Sequence, residues 1–263
     1  MKKVSRYQAY QPDASGYIPY SREDDSIWHD LIVPQRKKAE RYCSQVFLKG
    51  LAKLDLDNDR IPQCLALSEQ LQKVTGWSVT PVPALISFDR FYSLLAERRF
   101  PAASFIRSRE EMEYLQEPDI FHEIFGHTPL LATPDLAEFS HRIGLIGSRA
   151  RSEDHVWLAR LYWFTVEFGL IREHGQIRSL GAGLASSSSE LPYAVESDIP
   201  LRQPFDLLEL LRTPYRIDIH QPTYFVLDGV DQLLGLSEKE ILSAIKQARA
   251  KGLHAPLYAP KAS

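Results

Sequence analysis

Apolar side chains recur at helical spacing through most of the chain. Residues 1–25 are polar and turn-rich and are expected to lie extended on the surface. From Ser26 onward, Trp28, Leu31 and Ile32 open an apolar stripe that Tyr42, Val46 and Phe47 continue. Leu65, Leu67, Leu71 and Val74 form a second stripe, which Gly76 closes. Pro81 and Pro83 interrupt VTPVPALIS at 79–87, so this stretch reads as an extended loop rather than a central strand or a helix interior. Helical periodicity returns in FDRFYSLLAERRF at 88–100, and FPAASFIRS reads as a loop or short strand. EPDIFHEIFGH has proline near its start and glycine near its end, the usual order for a short helix. LAEFSHRIGLIGSRA and DHVWLARLYWFTVEFGLIREHG predict two more helices, the second apolar on nearly every side and therefore in the core. SLGAGLASSSSELPYAV reads as a loop, and YRIDIHQPTYFVL at 215–227 alternates like a strand before Gln221-Pro222. LSEKEILSAIKQARAKG predicts a helix capped by Ser237 with an acidic first turn. The expected fold is mainly α with a small amount of β. One principal domain covers 26–236, preceded by the segment 1–25, and the helix and tail over 237–263 pack on it or trail from it.

Composition narrows the function classes. With 263 residues, 44% of them hydrophobic, the chain can bury roughly three quarters of its unfolded surface in one large domain or two small ones. The net charge of -3 comes from interspersed signs, and QRKKAERY at 35–42 is too short a basic run for a nucleic-acid footprint. No apolar run approaches the ~18 residues of a membrane span. MKKVSRYQAYQPDASGY lacks the apolar core of a secretory signal, so a cytoplasmic location is expected. Cys43 and Cys64 stand apart from any C-x-x-C pair, and both are expected to be ordinary reduced thiols.

The candidate chemistry lies in PDIFHEIFGHTPL, residues 118–130. His122, Glu123 and His127 come close to the zinc-protease pattern H-E-x-x-H, with the second histidine one position too far. On an α-helix, residues five apart are separated by about 140° around the axis. The two rings can share an ion only if the helix ends or distorts between them. Gly126 permits such a change, and Pro129 prevents regular continuation. A third ligand is available in Glu167, a lone acid in apolar LYWFTVEFGL, since an unpaired buried carboxylate is costly and a metal removes that cost. The three would form a 2-His-1-carboxylate set, the arrangement of non-haem Fe(II) oxygenases. Structural histidines and an ion-paired glutamate explain the same residues, and spacing alone does not join Glu167 to the histidines.

EPDIFHEIFGHTPL, LYWFTVEFGL and GAGLASS, in that order, resemble the pterin-dependent aromatic amino acid hydroxylases, with a correspondence through most of residues 28–227. The resemblance is to the short bacterial type and implies a single catalytic domain around an iron-containing cleft. It implies Fe(II) and a tetrahydropterin (tetrahydrobiopterin or a bacterial analogue) as cofactors. L-phenylalanine and O2 would be the substrates, with L-tyrosine as product. A monomer or small homo-oligomer is expected, with no nucleic acid or membrane partner. The family's catalytic iron ligands carry over onto His122, His127 and Glu167. Its pterin contacts carry over onto Pro83, Ala84, Leu85, Ile86, Phe91, Glu123, Ala159 and Tyr162. Its substrate contacts carry over onto Arg107 as the carboxylate clamp, and onto Phe125, Pro129, Trp163, Gly183 and Ser186. The chain departs from the common pattern at Ala84, at Phe88 and at Leu115-Gln116. Tyrosine or tryptophan hydroxylation is the nearest rival within the family. A zinc-dependent hydrolase and a non-catalytic amino acid binder are the rivals from other classes.

Overall fold

Ser21 starts the first helix at Arg22, ahead of the apolar pattern. Its hydroxyl accepts the Asp24 N–H while the Asp24 carboxylate accepts the Ser21 N–H, a reciprocal cap. In the computed structural model, which describes residues 7–113, 115 and 117–259, this helix (α1) runs Arg22–Tyr42 with Pro34 inside it. Gln116 and the outermost parts of the predicted terminal segments lie outside the described residues. The apolar stripe does not run on through Phe47. Cys43 turns extended, and Ser44 caps a separate helix, α2 (Gln45–Leu51). Helix α3 (Cys64–Val74) buries Leu67 and Leu71 but leaves Leu65 and Val74 exposed.

The loop expected at 79–87 begins instead as a strand. β1 (Ser78–Val82) pairs in parallel with β2 (Arg99–Ala103), and α4 (Phe88–Ala96) makes the crossover. In a two-stranded sheet both strands are edges, so Pro81 can sit in β1 without leaving a ladder partner unpaired. The loop proper is confined to residues 83–87.

The histidine segment is helical but not α-helical. His122–His127 is a π-helix that runs into α5 (Thr128–Leu131). Helix α6 (Pro134–Arg149) follows, then α7 (Ser152–Tyr162), which ends in a second π-helical stretch, Trp163–Glu167. The long helix expected through Gly175 therefore stops at Glu167. His174 and Gly175, both at positive φ, turn the chain between β3 (Leu170–Glu173) and β4 (Gln176–Ser179). The glycine-serine stretch expected as a loop holds two short helices, α8 (Ala182–Ala185) and α9 (Glu190–Glu196). After β5 (Leu201–Pro204) and α10 (Leu207–Arg212), the strand expected before Gln221-Pro222 is absent there. The strand is β6 (Thr223–Leu227), after the proline, and all its residues are buried. A strand covered on both faces reads as a continuous apolar run, not as an alternation. The second sheet has the order β4-β3-β6-β5. Helices α11 (Asp231–Leu234) and α12 (Glu238–Lys251) complete the chain, with Ser237 capping α12 as expected.

Close backbone packing brings the two π segments together across α8. A Cβ on Gly126 would stand 2.7 Å from the Ala182 carbonyl oxygen, and one on Gly181 would stand 2.2 Å from the Glu167 carbonyl oxygen. Small side chains here let three segments touch backbone to backbone. Gly126→Ala is expected to destabilise the protein by about 1–3 kcal/mol through overpacking. A thermal unfolding midpoint unchanged by this substitution would show that the contact is looser than the geometry implies.

Candidate active site

A π-helix bonds each N–H five residues back, so positions five apart become neighbours. This winding answers the spacing of His122 and His127. Their Nε2 atoms are 3.2 Å apart, with ring planes at 88°. Glu167, at the end of the other π segment, places Oε1 2.9 Å from His127 Nε2 and Oε2 3.7 Å from His122 Nε2. Three ligand-capable groups from two segments thus converge in a site where the His127 side chain is 3% exposed.

Hydrogen bonding fixes which atoms carry lone pairs. The Ser186 hydroxyl lies 2.9 Å from the Ala182 carbonyl, to which it donates. It then accepts at 2.8 Å from His122 Nδ1–H. That tautomer leaves His122 Nε2 without a proton and aimed at the other two groups, the arrangement in which an outer hydrogen bond orients a metal-binding imidazole. Burial pushes the His122 imidazole down to about 4, partly opposed by Glu167, which favours the neutral ring a metal needs.

Two carboxylates adjoin the histidines. Glu123 belongs to the tight group His122, Glu123 and His127, whose ligand-capable atoms lie within 4.8 Å of one another. Burial, reinforced by the Glu167 charge, pushes the Glu123 carboxyl well above the ordinary range and favours its neutral form. Burial also works against the Glu167 charge, but His127 and His122 more than offset it and hold this carboxyl below its usual value. Glu167 is therefore the anionic member and has the shorter contacts. Two imidazole nitrogens and one carboxylate form a donor set suited to a ferrous ion and consistent with the facial arrangement.

Asp119 links this centre to Arg107. Its Oδ2 accepts from Arg107 Nε at 2.8 Å, and its Oδ1 accepts from Arg107 Nη2 at 2.9 Å. The same Oδ1 accepts the His122 backbone N–H at 3.1 Å, capping the helical turn at Ile120 that leads into the π segment. Both side chains are buried, and the pair holds the guanidinium in one orientation at the wall of the cleft, with Nη1 also donating to the Met112 carbonyl at 3.5 Å. Sequence reading missed Asp119. Its signal was the N-cap position three residues before His122.

The cleft has a volume of about 1010 Å³, and its walls include Leu85, Arg107, His122, Glu167, Gly183 and Ser186. Trp163 also lines it, stacked on Tyr215 at 4.4 Å between ring centroids and close to Phe168 at 4.5 Å. The volume accommodates an amino acid and a bicyclic cofactor together. Two expected substrate residues lie elsewhere. Phe125 is fully buried, stacked on Phe121 at 5.4 Å, because the π turn that aims His122 at the cleft sends Phe125 into the core. Pro129 is buried against Gly50. Among the expected pterin residues, Phe91 meets Tyr162 edge-on at 5.5 Å, and Tyr162 in turn stacks over His127 at 6.3 Å. Ala159 is half-buried one turn before Tyr162 on α7, and Ala84 and Ile86 are half-buried beside exposed Pro83 and Leu85. Glu190 and Gln221 also line the cleft, and Tyr215 backs Trp163. None was foreseen: Tyr215 and Gln221 lie far from the motifs, and Glu190, three residues after GAGLASS, carries no local mark of its burial.

A sequence model of the biopterin-dependent aromatic amino acid hydroxylases matches residues 4–244. The phenylalanine-4-hydroxylase of Pseudomonas aeruginosa is 49% identical over 98% of this chain and 98% of its own. The apo structure of the cold-active phenylalanine hydroxylase of Colwellia psychrerythraea superposes with a TM-score of 0.92 at 47% identity, covering 95% of this chain and 97% of that one. A phenylalanine hydroxylase from Chromobacterium violaceum with bound oxidised Fe(III) superposes with a TM-score of 0.88 at 40% identity, covering 96% and 92%. The chain belongs to the biopterin-dependent aromatic amino acid hydroxylases. No helix among the described residues is long and apolar enough to cross a membrane.

Removing one partner of the buried Arg107–Asp119 pair is expected to cost about 3–5 kcal/mol. Burial disfavours the Asp119 charge, but Arg107 outweighs it and holds the carboxyl below its ordinary value. A lowered folded value means that the stabilisation is present above the unfolded value of ~4 and is lost as pH falls through the folded one. Asp119→Asn should therefore be much less stable than the wild type at neutral pH, and the gap should narrow below about pH 4. Denaturant unfolding across that range measures it, and a gap independent of pH would refute the assignment.

Proposed function

We propose that this hydroxylase converts L-phenylalanine to L-tyrosine, using O2 and a tetrahydropterin at a non-haem Fe(II) centre. One observation carries the assignment of residues: two imidazoles and one carboxylate meet beside a cleft that contains an oriented guanidinium. The relatives that match nearly full length and are named for phenylalanine hydroxylation support the choice of substrate.

His122, His127 and Glu167 would hold the iron, leaving further coordination positions toward the cleft. When bound, iron and the reduced pterin supply the activation of O2 that places one oxygen atom on the ring. The remaining work belongs to the side chains. Ser186 keeps His122 in its ligand tautomer. Arg107, fixed by Asp119, offers Nη1 and Nη2 to the substrate carboxylate as a planar fork, exchanging the long Nη1 contact with the Met112 carbonyl for it. Trp163, stacked on Tyr215, gives the substrate ring a flat wall. Glu123, held in the neutral form, can donate a hydrogen bond toward the pterin, for which Phe91 and the backbone of residues 83–86 form the other side. Burial of His127 and Phe100, whose rings are 4.6 Å apart, keeps water from the rear of the centre. A cytoplasmic location accords with the buried free thiols Cys43 and Cys64.

Glu167→Ala should leave a folded protein that has lost iron-dependent turnover. Wild-type protein reconstituted with Fe(II), and not with Zn(II), should form tyrosine from phenylalanine when pterin and O2 are supplied. Chromatography of the products decides both points, and full activity in an iron-loaded Glu167→Ala enzyme would remove the ligand assignment.

Arg107→Lys keeps a positive charge beside Asp119 but loses the fork. It is expected to raise KM for phenylalanine about 10- to 100-fold, the equivalent of a charge-assisted hydrogen bond, with a smaller change in kcat. Steady-state kinetics with an unchanged KM would reject Arg107 as the clamp.

A further inference from the structure

Glu190 is a buried acid on the cleft to which the reaction outlined above gives no task. It opens α9 with only 7% of its surface exposed. The Tyr224 hydroxyl and the Gln221 backbone N–H both donate to its Oε1 at 2.7 Å. Neither donor reaches Oε2, and among the described residues no lysine or arginine forms an ion pair with this carboxylate. Gln221 also sets its side-chain oxygen 3.4 Å from Trp163 Nε1, so Glu190 is fixed by the residue that touches the ring wall. The other cleft acids are differently placed. Glu167 faces the two histidines, Asp218 forms a two-point pair with Arg216, Glu113 is exposed, and Glu117 is only half-buried. Burial pushes the Glu190 carboxyl up to about 7, although both donors act to lower it, as befits an acid short of positive charge.

A free amino acid brings two charges into the cleft. Arg107 supplies a partner for the carboxylate, and the ammonium group needs an acceptor of its own, because an unpaired charge is costly to bury. Glu190 lines the same cleft as Arg107 and Trp163 and is rigidly held by two donors on one oxygen.

We propose that the Glu190 carboxylate receives the ammonium group of the substrate, so that Arg107 and Glu190 together select α-amino acids over aromatic acids lacking the amino group. This rests on the reading of the cleft as an aromatic amino acid site. The test compares L-phenylalanine with 3-phenylpropanoate, which keeps the ring and carboxylate but has no ammonium, by calorimetry on anaerobic Fe(II)-loaded enzyme. Wild type should prefer phenylalanine. Glu190→Gln, which retains an acceptor for Tyr224 and Gln221, should weaken phenylalanine about 10- to 100-fold and leave 3-phenylpropanoate unchanged. Equal weakening of both ligands, or of neither, overturns the proposal. If Glu190→Gln does not fold, Glu190→Asp serves instead, with a partial loss confined to phenylalanine expected and a loss shared by both ligands refuting. Wild-type turnover is scored separately. A protein that forms no tyrosine but shows the ammonium-dependent preference, lost in Glu190→Gln, keeps this role for Glu190 while the proposed reaction fails.

Discussion

The structure depends on one electrostatic constraint: a carboxylate and two imidazoles brought together where little water reaches them. Glu167 lies 2.9 Å from His127 Nε2, and the two histidine Nε2 atoms are 3.2 Å apart. Lone pairs so close repel unless a proton or a metal ion lies among them. Surrounding groups settle the charge states. Ser186 fixes the His122 tautomer, the histidines keep Glu167 ionised, and burial favours the neutral form of Glu123. A donor set of this kind has its lone pairs arranged before any metal arrives, and a bound cation stabilises the folded chain that presents them.

Helix winding and small residues bring these groups together. Two π-helical stretches, His122–His127 and Trp163–Glu167, carry the donors. A π turn is less favourable than an α turn and survives where packing on neighbouring segments holds it. Here that neighbour is α8, whose approach requires Gly126, Gly181 and Gly183. The glycines and serines of GAGLASS are therefore packing residues and hydrogen-bonding residues at once.

Asp119 joins the candidate metal site to the proposed substrate clamp. One carboxylate accepts from Arg107 and from the His122 backbone, so the position of the guanidinium relative to the histidines is set by a single buried side chain. Such coupling favours a ring held in one place with respect to the reacting centre, which is what positional hydroxylation demands. The stacked Trp163 and Tyr215 rings bound the same space from the opposite segment.

The sequence by itself determined the helical class, the capped C-terminal helix, the two histidines and the isolated acid, because each leaves a local mark: a period, a cap, a polar residue in apolar surroundings. Three short motifs in order then carried the family. Tertiary structure decided what has no local mark. The five-residue histidine spacing acquired its meaning only through π winding, which depends on contact with α8. Pro81 could enter β1 only because its sheet has two strands. The apolar run through Gly169 broke into a hairpin at His174-Gly175, and β6 followed Gln221-Pro222 because both its faces are covered. Asp119 and Glu190 took their roles from partners that folding brings to them. Phe125 went to the core because the turn that aims one side chain at the cleft aims its neighbours away.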